Sequence, residues 1–194
     1  MTPLTEQFAQ ALIERMNIEP RDRILDAGCG EGGFARLLAR LVPEGLVVGL
    51  DSASDAIHAA RSLPDSAENL MFVWGEAESI PWQEGFFSRV LCVDSLPYFA
   101  DPLRALAELH RVLSPGAFLW VLNHLSEQGS PSPAANPGQN PTLHRLSVED
   151  YRSLFEQCGF RDFSIQSLAA PQPAERQHAP VLSVSLITAI KPDK

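Results

Sequence analysis

The sequence predicts an α/β fold in which a mostly parallel sheet is covered by helices on both faces. From Arg23 to Asn123, short apolar runs alternate with helix-like stretches, which is the pattern of a doubly wound parallel sheet. Several runs, such as Leu46–Leu50, are apolar throughout, which suits strands buried on both faces. A length of 194 residues with 45% hydrophobic residues indicates one domain with a substantial core.

Seven strands are predicted from the apolar runs. The first five are Ile24–Ala27, Leu46–Leu50, Leu70–Trp74, Arg89–Val93 and Ala117–Leu122. Two further strands, near Phe163–Leu168 and Val181–Ile190, complete the domain.

Helices are predicted between the strands, and two of them carry clear end signals. One covers Pro102–Leu113, with Asp101 as its N-cap and proline at its first position. The other begins at Ser147, where Asp150 three residues later forms a short capping box, and ends at Gly159. The chain therefore divides into an N-terminal helix (1–22), a core (23–123), a loop (125–145) and a C-terminal helix with a strand pair (147–194).

The loop is distinguished by its composition. Gly129–Pro141 contains four prolines among Gly, Ser, Asn and Gln, with almost nothing to bury, and this predicts a flexible segment. Because it follows the fifth strand, we expect it at the carboxyl edge of the sheet, where open α/β folds bind ligands. It would be either a lid or a spacer.

The charge and the cysteines limit the function classes. A net charge of -9 disfavours binding to nucleic acid or anionic lipid. The three cysteines suit neither a disulfide framework nor a metal site, which indicates a reducing compartment. No apolar run approaches the roughly 18 residues of a membrane span, and Met1–Glu6 has no leader character, so a cytoplasmic protein is expected.

A glycine-rich turn lies between the first strand and the helix at 34–41. Its six residues, 28–33, include four glycines, which let the backbone approach a ligand at a helix N-terminus. Gly28, Gly30 and Gly33 satisfy the dinucleotide pattern G-x-G-x-x-G, so an NAD-dependent oxidoreductase is one interpretation.

Two acidic residues bear on the choice of ligand. Asp26, two residues before the first glycine, would repel a pyrophosphate and attract the ammonium group of S-adenosylmethionine, unless it serves only as a turn or N-cap residue. Asp51 ends the second strand, where a carboxylate can bind both ribose hydroxyls of either ligand, or alternatively can cap the next helix.

Ordered sequence blocks extend the match beyond the glycine turn. They are Ile24–Gly32, Val48–Ser52, Gly75–Trp82, Phe87–Val90, Asp101–Leu103 and Glu108–Gly116. With these blocks the chain resembles the class I S-adenosylmethionine-dependent methyltransferases, in the group that includes the ubiquinone and menaquinone biosynthesis methyltransferases. The resemblance implies a single Rossmann-like domain with a seven-stranded, mostly parallel sheet and an antiparallel final strand.

The resemblance also implies a set of cofactor-binding residues. Asp26, Gly28 and Gly30 would line the methionine end, Asp51 would bind the ribose, and Ser52, Glu76 and Ala77 would flank the adenine. Cys29 and Asp94 belong to the same set without an assigned part of the cofactor. Glu76 stands where the family usually has aspartate, which lengthens the side chain by one methylene. Ile80 would pack either on the adenine or in the core.

Candidate catalytic residues follow the fourth and fifth strands. Methyl transfer is an in-line displacement from an activated sulfonium, so alignment is the main task and a base is optional. His124 has the pKa range of a general base, or is an ordinary surface histidine, and Tyr98 is a second candidate. Asp94 is expected to line the pocket or to cap a helix, and His144 could come from the loop.

The predicted function is methyl transfer from S-adenosylmethionine, leaving S-adenosylhomocysteine, to an unidentified and small acceptor, without a metal. The alternatives are an NAD-dependent oxidoreductase and a non-catalytic S-adenosylmethionine-binding protein. The chain would act as a monomer or a homodimer.

Overall fold

A computed structural model describes residues 13–63, 67–123, 146–169 and 183–193. It has seven strands: β1 (Arg23–Ala27), β2 (Leu46–Asp51), β3 (Leu70–Trp74), β4 (Arg89–Val93), β5 (Phe118–Asn123), β6 (Arg161–Ala169) and β7 (Ser183–Ile190). They form one sheet in the order β3-β2-β1-β4-β5-β7-β6. Strands β1 to β5 pair in parallel, and β7 runs antiparallel to both β5 and β6. The predicted fold class and the antiparallel final strand are therefore confirmed.

The helices are α1 (Gly33–Leu41), α2 (Ser54–Ser62), α3 (Pro102–Val112) and α4 (Val148–Gln157), with a 3-10 turn at Leu96–Tyr98. Asp101 caps α3 by accepting from the Arg104 N–H, as its position predicts. Ser147 and Asp150 form the expected capping box of α4. Within the predicted N-terminal helix (1–22), the described residues 13–15 are helical, whereas residues 16–22 form turns and irregular chain, so the helix does not extend to residue 22. None of the described helices is long and apolar enough to cross a membrane.

The sheet has one apolar cluster on each face. Strand residues alternate between the faces, so Leu25 and Ala27 pack in the cluster that contains residues of α3 and α4. Ile24 packs in the other cluster with residues of α1 and α2. Asp26 follows the alternation of Ile24, so a carboxyl group lies on an otherwise apolar face.

Strand β3 forms one edge of the sheet. The Gly75 N–H donates to the Asp51 carbonyl of β2 at 3.0 Å, and because main-chain groups alternate in direction, the carbonyl of Phe72 points away from β2. Arg61 of α2 donates to that carbonyl through Nε at 3.2 Å and Nη2 at 2.7 Å. An outward-facing main-chain acceptor on the edge is thus satisfied by a side chain of the same chain.

Candidate functional site

The candidate site lies at the carboxyl ends of β1 to β4. The turn after β1 has positive φ at Gly28 (78°), Gly30 (54°) and Gly32 (79°), a conformation that disfavours side chains. A Cβ at Gly28 would lie 2.2 Å from the Cβ of Ser95, which follows β4. The glycines therefore serve both the shape of the turn and its close contact with the end of β4.

Three amides of this turn are already bonded to the end of β2. The N–H groups of Gly28 and Cys29 donate to the Leu50 carbonyl at 2.7 and 3.1 Å. The Gly30 N–H donates to Oδ2 of Asp51 at 2.7 Å. A phosphate-binding glycine loop directs its amides at the ligand, whereas these three are directed at the chain itself. These three amides are therefore engaged within the chain and are not directed at a pyrophosphate.

Asp51 is held by main-chain donors on both of its carboxylate oxygens. Oδ2 accepts from Gly30, and Oδ1 accepts from the Ala53 N–H at 2.8 Å. The N-cap residue of α2 is Ala53, so Asp51 orients a carboxylate beside the turn and does not occupy the cap position. Each carboxylate oxygen has more than one acceptor site, so the pair can still accept the two hydroxyls of a ribose.

Asp26 is buried beneath the turn. It is 1% exposed, and its Oδ2 has no hydrogen-bond partner. Burial, followed by repulsion from Asp51, raises the pKa of this carboxyl from 3.8 to about 7, against a smaller lowering by the Ala35 amide. Gly32 occupies the N-cap position of α1, and the Asp26 carboxyl accepts from the Ala35 N–H in the first turn of that helix, so Asp26 also serves this helix end. An unpartnered buried carboxyl oxygen is a group that a cationic ligand would stabilise.

The expected adenine residues lie at the ends of β2 and β3. Ser52 and Glu76 are exposed, and Ala77 is buried at 5% exposure. Trp74 anchors this region, because its Nε1 donates to the Ser52 carbonyl at 2.9 Å. Ile80 is 3% exposed within the core cluster that includes Leu25, which favours its core interpretation.

The catalytic candidates are only partly within the described chain. Asp94 is half-buried with φ of 49°, and its N–H donates to the Leu122 carbonyl at 2.8 Å. Burial and the nearby Asp94 raise the pKa of Tyr98, which favours the protonated phenol over the phenolate that a general base would need. His124 and His144, like the loop at 125–145, lie outside the described residues.

Ser95 has a structural part in the site that the sequence did not indicate. Its Oγ donates to the Ala27 carbonyl at 2.8 Å and lies 2.8 Å from Sγ of Cys92. This bond ties the end of β4 to the end of β1 directly below Gly28. Ser95 was recognisable only as a polar residue after a strand, since its partner lies 68 residues earlier in the chain.

Phe72 is a second residue that the sequence did not reveal. A Cβ at Gly32 would lie 2.3 Å from the Phe72 ring, and a Cβ at Gly49 would lie 2.7 Å from it and 2.9 Å from Sγ of Cys29. The ring therefore fills the space that these two glycines leave open. The glycine turn rests on β2 and β3 through this contact.

We expect Gly49→Ala to lower the free energy of unfolding by about 1–3 kcal/mol, because the added methyl group overpacks Phe72 and Cys29. Urea denaturation measures the change. Gly33→Ala is the matched control: no atom lies within 4 Å of its added methyl group, and alanine favours the helix that starts there. Equal losses in the two variants would contradict the packing role of Gly49.

A cavity of about 400 Å³ lies at the opposite, amino-terminal edge of the sheet. Part of its charged lining is already paired, since Arg21 donates to Glu44 at 2.8 Å and Asp22 accepts from Ser88 at 2.6 Å. Over the described ranges, no group of three or more His, Cys, Asp or Glu residues is arranged to hold a metal ion. The features that suit a ligand are those at the carboxyl edge.

The geometry thus defines an α/β protein with a candidate ligand site beside its first glycine turn. Residues 25–121 match the family described as the methyltransferase domain. The chain belongs to this family of enzymes, which confirms the family predicted from the sequence blocks.

Individual relatives agree with the family. The chain is 30% identical over 155 residues to the ubiquinone/menaquinone biosynthesis C-methyltransferase of Coxiella burnetii, covering 74% of this chain and 62% of that protein. It is 28% identical over 167 residues to the O-methyltransferase rstn1 of Aspergillus nomiae, covering 81% and 72%. The curated relatives are often longer, and the chain spans only 34% of the length of one of them.

A solved structure shares the fold. Phosphoethanolamine N-methyltransferase 2 of Haemonchus contortus, in complex with S-adenosyl-L-methionine, superposes with a TM-score of 0.76 at 16% identity. The match covers 97% of this chain and 53% of that one.

Proposed function

We propose that this chain is an S-adenosylmethionine-dependent methyltransferase that acts on a small-molecule acceptor. The observation that carries the proposal is the pairing of two carboxyl groups with the glycine turn. Asp51 already accepts from one amide of the turn, and Asp26 leaves a buried oxygen without a partner. This arrangement suits a cationic donor without phosphate groups better than it suits a dinucleotide.

The residues present fit this donor at each of its parts. Asp51 would accept the ribose hydroxyls, with its carboxylate already oriented by Gly30 and Ala53. Asp26 would stabilise the positive charge of the methionine end, near Gly28. Ser52, Glu76 and Ala77 would flank the adenine at the exposed ends of β2 and β3.

The reaction requires little acid–base catalysis from the side chains of this protein. When bound, the donor supplies a methyl group on an activated sulfonium, so this chain's residues have to align and enclose the reactants. The raised pKa of Tyr98 makes this phenol a hydrogen-bond donor at neutral pH and not a base. Tyr98 would therefore help to orient the acceptor, next to Asp94.

The class of acceptor is proposed as a small molecule, with its reacting atom open. The names of the three relatives include a C-, an O- and an N-methyltransferase, so membership of the family does not select the atom. A cytoplasmic location accords with Cys29, Cys92 and Cys158, all of which are free thiols. Either a monomer or a homodimer is compatible with this proposal.

Calorimetry tests the donor. We expect heat of binding from S-adenosylmethionine and from S-adenosylhomocysteine, and none from NADH. Binding of NADH without binding of either methionine derivative would refute the proposal in favour of an oxidoreductase.

A turnover assay tests whether the chain catalyses methyl transfer. With a donor labelled in its methyl group, incubation with a small-molecule metabolite extract is expected to give a labelled product that heat-inactivated protein does not give. Donor binding without any labelled product, from small molecules or from added protein and nucleic acid, would favour a non-catalytic binding protein. If only added protein or nucleic acid became labelled, the proposal of a small-molecule acceptor would be refuted and the proposal of methyltransferase activity would stand.

A further inference from the structure

The loop between β3 and β4 carries two residues of the proposed adenine site, Glu76 and Ala77. Residues 76–86 form neither helix nor strand, so no ladder of main-chain hydrogen bonds between strands fixes them. Local turns are present, since Ser79 N–H donates to the Glu76 carbonyl at 3.2 Å. The position of this loop on the domain therefore depends on contacts from outside it.

Two side chains of α3 bind the main chain of this loop. Oε2 of Glu108 accepts from the Ile80 N–H at 2.8 Å. Nη2 of Arg111 donates to the Ile80 carbonyl at 2.8 Å, and Nη1 donates to the Trp82 carbonyl at 2.7 Å. A short stretch of irregular chain is thus held at three main-chain groups by neighbouring turns of one helix.

Glu108 and Arg111 also bind each other. Nε of Arg111 donates to Oε1 of Glu108 at 2.6 Å, and Nη2 donates to Oε2 at 2.8 Å, which is a bidentate pair. Hydrogen bonding from Arg111 lowers the pKa of Glu108, so the pair stays charged at neutral pH. The planar guanidinium serves the carboxylate and two carbonyls together, and a lysine amine could not reproduce that geometry.

The start of α3 extends the contact toward Ala77. Nε of Arg104 donates to the Glu78 carbonyl at 3.1 Å, and Oε1 of Glu78 accepts from the Asp101 N–H at 3.0 Å. The Ile80 side chain is fixed as well, because it is buried in the core. The segment from Glu78 to Trp82 is therefore tied to α3 along its length.

We propose that Glu108 and Arg111 are positioning residues for the adenine end of the donor. They hold the loop main chain at Ile80 and Trp82, and this keeps Ala77 and Glu76 in place before the donor arrives. The inference rests on the proposed function, because it takes the adenine to bind at this loop. Preorganisation of this kind improves affinity by removing the cost of ordering a loop on binding.

The test compares Arg111→Lys with a matched control, Arg21→Lys. Arg21 makes a similar bond to Glu44, at 2.8 Å, but is exposed and lies at the other edge of the sheet. Calorimetry with S-adenosylhomocysteine is expected to show about a tenfold loss of affinity in Arg111→Lys and none in Arg21→Lys. The affinity for S-inosylhomocysteine, in which oxygen replaces the adenine amino group, should fall less than the affinity for S-adenosylhomocysteine. The ratio of the two affinities, which measures the preference for adenine, is therefore expected to be smaller in Arg111→Lys than in the wild type. A merely structural role would leave that preference unchanged in folded protein.

Hydrogen exchange in the unliganded protein separates the two proposals. Faster exchange of the Ile80 amide in Arg111→Lys than in the wild type is expected, with exchange in β1 and β4 unchanged. Unaltered exchange, or unaltered affinity and adenine preference, would overturn the positioning role. A wild-type protein that binds no S-adenosylhomocysteine would overturn the proposed function, whatever the exchange shows.

Glu108→Gln keeps the test decisive if Arg111→Lys does not fold. Glutamine retains an acceptor for the Ile80 N–H but loses the charge that holds Arg111. We expect a smaller loss of affinity in the same direction, with the same fall in adenine preference. An unchanged preference in folded Glu108→Gln would refute the inference.

Discussion

Asp26→Asn is expected to stabilise the unliganded protein at pH 8 and to have little effect at pH 4. The pKa of Asp26 is 3.8 in an ordinary setting and about 7 in the fold, so the folded state holds this proton more tightly than the unfolded state does. Stability from this group is therefore complete below pH 4 and is lost as the pH rises to about 7. A shift of this size corresponds to about 4 kcal/mol, and asparagine, which never ionises, avoids the loss.

Urea denaturation at pH 4, 6 and 8 measures this effect as the difference between the variant and the wild type. Glu68→Gln removes an exposed carboxylate and is the control for general charge effects. A stability difference for Asp26→Asn that did not grow with pH would show that the buried carboxyl does not titrate in this range.

Binding of S-adenosylmethionine should favour the ionised form of the Asp26 carboxyl, whereas the unliganded fold favours the neutral form. A cationic ligand stabilises the charged carboxylate, so the affinity of the wild type for S-adenosylmethionine is expected to rise with pH through about 7. In Asp26→Asn the affinity should be lower and nearly independent of pH. Equal pH dependence in both proteins would separate Asp26 from the charge of the donor.

Asp51→Ala is expected to weaken binding of S-adenosylhomocysteine by about 1–3 kcal/mol, or roughly 5- to 150-fold. The substitution removes the proposed acceptors of the ribose hydroxyls and also the partner of the Gly30 N–H. Calorimetry measures the loss. Asp55→Ala, which removes an exposed carboxylate on α2, should bind like the wild type.

A ligand without the hydroxyls isolates the ribose contact from the support of the turn. With a 2′,3′-dideoxy analogue of S-adenosylhomocysteine, the penalty of Asp51→Ala should shrink to the part that comes from the Gly30 amide. A penalty of the same size with both ligands would assign Asp51 to the turn and not to the ribose.

The sequence predicted the features that depend on local signals. The caps at Asp101 and Ser147 follow from residue type and position, and the buried parallel strands follow from continuous apolar runs. The candidate site was predicted from the glycine turn and from Asp51, and the structure brings these two features together. Each of these signals lies within a few residues of the structural element that it predicts.

The remaining features arise from contacts between distant parts of the chain. Phe72 supports Gly32 and Gly49 from another strand, and Arg111 reaches a carbonyl 29 residues earlier. No period or short motif encodes such pairs. The burial of Asp26, and with it the rise in its pKa, depends on how α1 closes over the sheet. The sequence could therefore show that Asp26 is an acidic residue, but not that burial raises the pKa of its carboxyl.

The guanidinium of Arg61 at the edge strand β3 affects the tendency of two copies of this chain to associate through their sheet edges. An open strand edge invites a strand of another molecule to add to it, and Met71 and Trp74 make this edge apolar, at 45% and 64% exposure. By occupying the outward carbonyl of Phe72, Arg61 removes an acceptor that an incoming strand would need. The same side chain places a positive charge at this edge, and such a charge disfavours the addition of a strand from another molecule.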